Sequence, residues 1–240
     1  MNSFTFKKEA FCNLALVGLL FSADQGTIHQ PTPAAFTQLP NVDARVQLDH
    51  ALELMASEQY SKILATESSQ DQREIILDLV KRSLPLAQKS FAIEISTAVI
   101  NEANFHGMDP FFLLSIISHE SQFDRKARGS HGEIGLMQIL PSTAKWLSLR
   151  LGLNSEADLE DPSTNVRLGA AYLSQLRKSF KRQGNRYMAA YNMGSRNVRR
   201  LLASSTEPTV YPDKVMTIYN SYYDFLARLN VRPYQQTASN

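Results

Sequence analysis

The sequence predicts a mainly α-helical fold, on three observations. Apolar residues recur at helical spacing along most of the chain, as at Val166, Ala170 and Leu173. Twice an Asp-Pro pair, which can cap a helix and supply its first-turn proline, stands directly before such a run. The alternating pattern typical of β-strands is nearly absent. A chain of 240 residues can bury a large core, so we expect one helical domain with an appendage.

The first residues predict an export signal or an N-terminal anchor over 1–23. In "KKEAFCNLALVGLLFSADQ" two lysines precede an apolar run that is shorter than the roughly 20 residues of a comfortable membrane span. A buried first helix of a cytoplasmic protein is the alternative. We expect a protein of the periplasm or cell envelope, and anchoring through residues 7–21 stays open. The Pro- and Thr-rich residues 24–41 predict a tether.

Two prefix helices should follow the tether. The first, within 43–66, places Leu48, Leu52 and Met55 on one face, and the second covers 70–83 and ends before Pro85. The predicted units are 1–23 (signal or anchor), 24–41 (tether), 42–88 (helical prefix), 89–229 (main helical domain) and 230–240 (tail).

The most apolar helix should lie at the centre of the domain. A helix over 91–107 with Gly107 as its stop precedes it, and Asp109-Pro110 caps "FFLLSIISHE", which is apolar on nearly every side. A small irregular or β-hairpin segment follows near 125–139. Four more helices are then expected: from Pro141 to about Gly152, from Asp161-Pro162 onward, over "NRYMAAYNMG" to Gly194, and from about Asp213 to Leu229.

Composition excludes some classes of protein. The formal net charge of +2 gives no reason to expect nucleic-acid binding. A hydrophobic content of 43% with a mean hydropathy of -0.25 excludes a multi-span membrane protein. Cys12 is the single cysteine and lies in the presumed signal, so a processed chain would have no disulfide.

Glu120 is the first candidate for chemistry, because it ends the most apolar helix. Burial and the negative pole of the helix should both raise the pKa of its carboxyl, against the opposite effect of nearby basic residues such as Arg125 and Arg128. A carboxyl that stays protonated near neutral pH can act as the general acid in cleavage of a glycosidic bond. A helix-end glutamate that faces water is the alternative.

Metal and nucleophile sites find no support in the sequence. "HES" begins like a zinc-binding helix, yet Phe123 stands where the second histidine would be required. His106, His119 and His131 lack ligand-like spacing, and no G-x-S-x-G motif occurs. We therefore expect no metal and no cofactor.

Four motifs in order resemble the catalytic domain of the soluble lytic transglycosylases, a family of the lysozyme superfamily with a goose-type-like helical fold. The motifs are "GMDPFFLLSIISHESQFD", "GEIGLMQILPSTA", "DPSTNVRLGAAYLSQL" and "AAYNMGSRNV", and "YPDKV" falls where the family carries a tyrosine before its last helix. The resemblance covers a little over half of the chain, roughly residues 90–229.

The resemblance implies cleavage of the β-1,4 bond between N-acetylmuramic acid and N-acetylglucosamine in peptidoglycan, with 1,6-anhydro ends. Glu120 falls on the family's single catalytic glutamate, first acid and then base. Ser121, Met137, Gln138, Tyr191 and Asn192 fall on segments that line the sugar cleft, with the Tyr191 hydroxyl placed to bond the glutamate. Bonding to backbone for Ser121 and a core position for Met137 and Tyr191 are the alternatives.

Other functions and partners remain open. A lysozyme-type hydrolase would need a second carboxylate, for which Asp124 and Glu133 are the nearby candidates. A solvated loop glutamate is the favoured interpretation of Glu133. A peptidoglycan-binding assembly module is a further alternative. The expected partners are peptidoglycan glycan strands and, through residues 42–88, an envelope protein, with a monomeric chain and no nucleic acid.

Overall fold

The computed structural model describes residues 39–54, 69–152 and 157–230. The predicted signal or anchor, almost all of the tether and nearly the whole C-terminal tail therefore lie outside the described residues. None of the helices within the described ranges combines the length and apolar character of a membrane span.

The mainly α-helical class is confirmed. The described residues form α1 (Ala44–Leu54), α2 (Ser69–Ser83), a 3-10 turn (Leu86–Phe91), α3 (Ala92–His106), α4 (Pro110–Ser121), α5 (Pro141–Leu151), α6 (Pro162–Ser179), α7 (Gly184–Met193), α8 (Ser195–Ala203) and α9 (Val210–Asn230). The last helix begins three residues before its predicted start. The short helix α8 is an element that the sequence motifs do not separate from α7.

Helix α4 is the central helix, as predicted. Asp109 caps it by accepting a hydrogen bond from the Phe111 amide at 2.8 Å, and every residue from Pro110 to Ser118 is buried. Helix α9 packs against α4 in the opposite direction, because the start of α4 contacts Tyr223 and its end contacts Tyr211. Helices α3 and α6 pack on each other beside this pair.

Helix α1 packs on the domain through a face that overlaps the predicted one only in part, since Leu48 is packed against the core. Leu52 is 46% exposed, whereas Gln47 and His50 are buried. The Gln47 amide donates to Tyr223 Oη at 3.1 Å, and the Asp109 amide donates to His50 Nδ1 at 3.1 Å. The buried face of α1 is therefore partly polar, because its partners on the domain are polar.

The described residues just before α1, 39–43, are also packed on the domain. Leu39 and Val42 are buried, and the Arg73 guanidinium donates to the Leu39 carbonyl at 3.3 Å. The Asn104 amide donates to the Asn41 carbonyl at 2.7 Å. Packed structure thus includes residues 39–41, which the sequence assigns to the tether.

The segment between α4 and α5 is irregular, as predicted. Isolated antiparallel bridges join Ile134 to Arg128 and to Ile139. Gly135 has a φ of +81°, and a β-carbon there would overlap the Asn165 amide and the Leu159 carbonyl. This close approach to α6 requires glycine and fixes the segment against the helix.

Candidate active site

Glu120 lies in the last turn of α4, where the buried helix reaches the surface. Its side chain is half-buried. The Tyr211 hydroxyl, from the first turn of α9, donates to Glu120 Oε1 at 2.7 Å. The His119 ring packs edge-on against the Tyr211 ring with 4.9 Å between centroids. The tyrosine is itself only 5% exposed, so the carboxyl is held by a rigid donor.

Two tyrosines near Glu120 remain protonated. Burial raises the pKa of Tyr211 well above its usual range, and the negative charge of Glu120 raises it further. The pKa of Tyr191 is raised by the same two causes in the same order, with an added effect of Tyr172. Both hydroxyls therefore act as hydrogen-bond donors beside the carboxyl at any physiological pH.

Tyr191 does not bind the carboxyl as the resemblance predicts. Its hydroxyl donates to the Met137 carbonyl at 2.7 Å, and its ring lies 5.5 Å from the Tyr172 ring. Because a tyrosine hydroxyl has one proton, this bond leaves none for Glu120. Tyr211 takes the predicted place, and the signal that could have found it is the tyrosine of "YPDKV".

Met137 and Gln138 form the segment that Tyr191 contacts. Met137 is fully buried, and its side chain lies directly against Gly169 of α6. Gln138 is half-buried with a φ of +48°, and its amide donates to the carbonyls of Ala127 and Gly135 at 3.1 and 3.0 Å. Their side chains thus shape the loop before any ligand is bound.

Asn165 anchors this loop; it lies within the motif "DPSTNVRLGAAYLSQL" but was not singled out from the sequence. It is fully buried in α6. Its Oδ1 accepts from the Met137 amide at 2.8 Å, and its Nδ2 donates to the carbonyls of Ile134 and Leu159 at 2.9 Å each. One asparagine therefore supplies backbone hydrogen bonds that a strand would otherwise provide.

The remaining predicted site residues occupy different surroundings. Ser121 is buried, and its hydroxyl donates to the Ile117 carbonyl at 3.1 Å, which is the backbone bond considered as its alternative role. Asn192 follows Tyr191 on α7 and is half-buried. The structure thus places Asn192 beside the tyrosine, while Ser121 is directed back along its own helix.

Glu133 is buried, so its interpretation as a solvated loop residue is wrong. Its side chain is 8% exposed. Oε2 accepts from the His131 amide at 2.9 Å, and Oε1 lies 3.5 Å from His131 Nδ1. The carboxylate satisfies the tight turn around Gly129 and Gly132, where a backbone amide would otherwise be left without an acceptor.

Asp124 is also held by its neighbours. Its Oδ1 accepts from the Gln88 amide at 2.6 Å and from the Lys126 backbone amide at 2.9 Å. The basic residues expected to oppose Glu120 have partners elsewhere: the Arg125 guanidinium stacks 4.3 Å from the Phe91 ring, and Arg128 pairs with Glu160.

The opposite end of α4 contains a buried polar network. Asp109 Oδ2 accepts from the hydroxyls of Tyr219 and Tyr223 at 2.5 Å each. Burial raises the pKa of the Asp109 carboxyl to about 6, although these hydrogen bonds act to lower it. Burial also lowers the pKa of His50 well below its usual range. Its neutral ring accepts at Nδ1 and donates from Nε2 to Tyr187 Oη at 3.1 Å.

A metal site has no basis in the described residues. Within residues 39–54, 69–152 and 157–230, no three His, Cys, Asp or Glu side chains converge in a way that could hold a metal ion. His106 lies 3.5 Å from Glu102, and His131 is beside Glu133.

Comparison with known proteins supports the family resemblance. Residues 97–211 match the family described as the transglycosylase SLT domain, a match that includes Glu120 and Tyr191 and ends at Tyr211. The soluble lytic murein transglycosylase of Escherichia coli K12 is 36% identical over 98 residues, which cover 39% of this chain and 15% of that protein. The similarity to the transglycosylase SLT domain thus covers residues 97–211, a little under half of the chain.

Two membrane-bound relatives match as well. Membrane-bound lytic murein transglycosylase C of Histophilus somni is 29% identical over 160 residues, covering 60% of this chain and 41% of that protein. Membrane-bound lytic murein transglycosylase E of Buchnera aphidicola is 34% identical over 108 residues, covering 42% and 49%. The chain therefore spans less than half the length of each of these relatives.

Two solved structures also resemble the chain. The lytic transglycosylase Slt of Pseudomonas aeruginosa matches with a TM-score of 0.46, covering 85% of this chain and 37% of that protein. The 70 kDa soluble lytic transglycosylase of Escherichia coli matches with a TM-score of 0.41, covering 80% of this chain and 38% of that protein. Both are 21% identical in sequence.

Proposed function

We propose that the chain is a peptidoglycan lytic transglycosylase that cleaves the β-1,4 bond between N-acetylmuramic acid and N-acetylglucosamine and leaves 1,6-anhydro-muramic acid ends. One observation supports this most strongly. Glu120, at the end of the central buried helix, is held at 2.7 Å by a tyrosine that remains protonated. A carboxyl held in one orientation at a half-buried surface can reach a bound glycosidic oxygen, which is the geometric condition for general acid catalysis.

Glu120 acts twice in the proposed reaction. As a carboxylic acid it donates its proton to the glycosidic oxygen while the bond from that oxygen to the muramoyl C1 breaks. As a carboxylate it then accepts the proton of the muramoyl C6 hydroxyl, whose oxygen forms the new bond to C1. No water is consumed, and Glu120 ends in its starting protonation state. The Tyr211 hydroxyl fixes Oε1 throughout.

The hydrolase alternative is the weaker one. It needs a second carboxylate or a positioned water, and the two nearby candidates already have structural partners. Asp124 binds Gln88 and Lys126, and Glu133 binds the backbone of His131. These bonds support a reaction that uses Glu120 as the single carboxylate.

Substrate contacts and location belong to the same proposal. Asn192, half-buried beside Tyr191, is suited to bond acetamido or hydroxyl groups of the glycan. Gln138 donates its amide hydrogens to the Ala127 and Gly135 carbonyls, so we propose that it contributes only its Oε1, as an acceptor from a sugar hydroxyl or amide. Met137 and Ser121 are both buried, so we propose that they support the residues that contact the glycan and do not contact it themselves. Cleavage of peptidoglycan places the protein in the periplasm or cell envelope, in line with the export signal predicted over residues 1–23.

Product analysis tests the proposal. Purified sacculi are digested with the wild-type chain and with Glu120→Gln, and the released fragments are separated and weighed. We expect anhydro ends from the wild type and a loss of rate of about 10³-fold for Glu120→Gln, within the range for general acid–base catalysis. Glu133→Gln and Asp124→Asn serve as matched carboxylate controls and should retain the anhydro product.

Two outcomes would overturn the proposal. Fragments that are heavier than the anhydro fragments by one water would identify a hydrolase. Loss of activity in Glu133→Gln with an unchanged fold would then identify Glu133 as the second carboxylate. Binding of sacculi without any release of fragments would identify a binding module.

A further inference from the structure

We propose that α5 and α8 form a surface that docks the protein on a membrane containing anionic phospholipid, a role that is separate from the proposed catalytic function. In the docked state Trp146 and Leu149 of α5 enter the headgroup region, and basic side chains of both helices bind the lipid phosphates. The contact is peripheral, because α5 has 11 residues and is too short to cross a bilayer.

Exposed apolar side chains are concentrated on α5. Eight large apolar side chains are exposed within the described residues, and four of them lie in residues 140–151: Leu140, Trp146, Leu149 and Leu151. The other four are on four different elements. Single apolar residues are usual on a protein surface, whereas a cluster indicates contact with a partner or a membrane. Among the described elements, α5 is therefore the one whose exposed side chains favour such a contact.

The exposed face of α5 is both apolar and basic. Lys145, Trp146 and Leu149 share this face, since they are three or four residues apart. Leu149 is 67% exposed and Trp146 37%. The Arg150 guanidinium stacks 5.2 Å from the Trp146 ring, which keeps a second cation beside the indole. Tryptophan and leucine flanked by lysine and arginine are typical of helices that lie in a membrane interface.

Helix α8 extends the basic part of the surface. Both helices line one surface depression, α5 through Ser142 and Trp146 and α8 through Ser195, so they are neighbours. Three arginines of α8 are exposed: Arg196, Arg199 and Arg200. Neither helix contains an aspartate or a glutamate. Because the whole chain has a formal net charge of only +2, this positive charge is local to the side of the apolar cluster.

The combination of charge and apolar surface selects the partner. An anionic phospholipid offers phosphates to the basic residues and acyl chains to Trp146 and Leu149 in one layer. A second copy of the same face would bring the basic residues of two chains together, which like-charge repulsion opposes. A dissolved anionic polymer would pair with the cations and leave the apolar side chains in water. A lipid surface satisfies both parts.

The single tryptophan makes docking directly observable. Trp146 is the only tryptophan of the chain, so its fluorescence reports on α5 even if the predicted N-terminal anchor also binds lipid. The full chain is titrated with vesicles of phosphatidylglycerol and phosphatidylethanolamine, and in parallel with vesicles of phosphatidylcholine. We expect the anionic vesicles to shift the emission to shorter wavelength, brominated acyl chains to quench it, and high salt to weaken both effects. Phosphatidylcholine should produce neither effect.

Substitutions on α5 provide the second measurement, the lipid concentration that gives half-maximal quenching. Leu149→Ser should raise it about tenfold, because an apolar side chain no longer enters the interface. Lys145→Gln combined with Arg150→Gln should raise it about 25-fold, at about fivefold for each cation.

Matched controls lie on other elements. Phe105→Ser, on α3 at a position that is 79% exposed, removes an apolar side chain outside the surface. Arg45→Gln combined with Lys89→Gln removes two exposed cations outside it. Both controls should bind vesicles as the wild type does. Denaturant titration of every variant verifies that the fold is retained.

Three outcomes would overturn the inference. Vesicles that bind the chain without changing the Trp146 emission would place the lipid contact elsewhere. Equal responses to anionic and phosphatidylcholine vesicles would remove the role of the basic residues. A dimer that Leu149→Ser dissociates would identify the cluster as an interface between two copies. None of these measurements requires cleavage, so a chain that docks but releases no fragments would contradict only the catalytic proposal.

Discussion

Each end of helix α4 has a carboxyl side chain, and tyrosines from α9 bind both. At the start of the helix Asp109 is fully buried and accepts from Tyr219, Tyr223 and its own helix backbone. At the end Glu120 is half-buried and accepts from Tyr211. The same pair of residue types therefore occurs twice in one helix pair, in two environments.

The difference between the ends separates a structural carboxyl from a reactive one. Asp109 lies at the positive pole of the helix, enclosed by donors, where a carboxyl caps and joins three helices. Glu120 lies at the negative pole, which disfavours a carboxylate, and one side of it is open to solvent. Both ends combine a carboxyl side chain with tyrosine donors. The difference between the structural role of Asp109 and the reactive role of Glu120 therefore follows from burial and from the polarity of the helix.

The largest effect should come from removing the structural carboxyl. Asp109→Ala leaves two buried tyrosine hydroxyls and the Phe111 amide without their acceptor, and we expect a loss of about 3–5 kcal/mol in the free energy of unfolding. Asp43, which caps α1 at an exposed position, is the matched control. Asp43→Ala should cost about 1 kcal/mol in denaturant titration, since only a cap is lost. Equal losses would show that the buried network adds nothing.

The pH dependence of stability gives a second contrast. Asp109 releases its proton near its ordinary value of 3.8 when unfolded and near about 6 when folded. Between these values the folded state binds more protons, so stability falls as the pH rises. The free energy of unfolding of the wild type, relative to Asp109→Asn, should fall by about 2–3 kcal/mol from pH 4 to pH 7.

His50 provides the control for this measurement. Its lowered pKa has the opposite sign: the unfolded state binds the extra proton, and stability is lost as the pH falls below the ordinary value of 6.5. Because His50 is present in both proteins, its effect cancels in the difference. A difference that is flat with pH would mean that Asp109 ionises normally in the folded protein.

A smaller effect, on activity, is expected at the other end. Tyr211→Phe removes the donor to Glu120 and should lower the rate of anhydro-muropeptide release about 10- to 100-fold, while the free energy of unfolding changes by about 1 kcal/mol. Tyr219→Phe removes a donor to Asp109 and should give the reverse result, a stability loss of about 1–2 kcal/mol with little change in rate. If both variants lost the same property, the two ends would not have separate roles.

The smallest effect should come from Ser121. Its hydroxyl bonds the Ile117 carbonyl and is buried, so Ser121→Ala should change kcat/KM by no more than about twofold and the free energy of unfolding by about 1 kcal/mol. A tenfold rise in KM on glycan strands would instead show that Ser121 turns towards the substrate.

Local signals predicted much of the fold. Asp109-Pro110 and Asp161-Pro162 begin α4 and α6, and Gly107 and Gly152 end α3 and α5 with φ values of +66°. Capping depends on a few neighbouring residues, which is why a single sequence contains it. The apolar character of α4 likewise predicted the central helix and the position of Glu120 at its end.

Long-range polar contacts were not predictable in the same way. The spacing of Leu48 and Leu52 located the buried face of α1 only in part: Leu48 packs against the core, Leu52 is exposed, and Gln47 and His50 are buried by partners distant in the sequence. Which tyrosine contacts Glu120 depends on how α7 and α9 are positioned relative to α4. Hydrophobic periodicity and capping residues do not determine that position. Glu133 is a different case: its contact with His131 is local, but it exists only in the turn that Gly132 makes with a φ of +88°.

The antiparallel packing of α4 and α9 also limits how this part of the chain can vary in length. Tyr211 and Tyr219 meet the two ends of α4, so the number of residues between them is matched to the length of that helix. One inserted residue would rotate Tyr211 by about 100° around the helix axis and shift it by about 1.5 Å relative to Tyr219. Either the donor to Glu120 or the donor to Asp109 would then be displaced. Residues 212–218 can therefore vary where they are exposed, while Val215 and Ile218 must stay apolar, but none can be added or deleted without disabling one end of the pair.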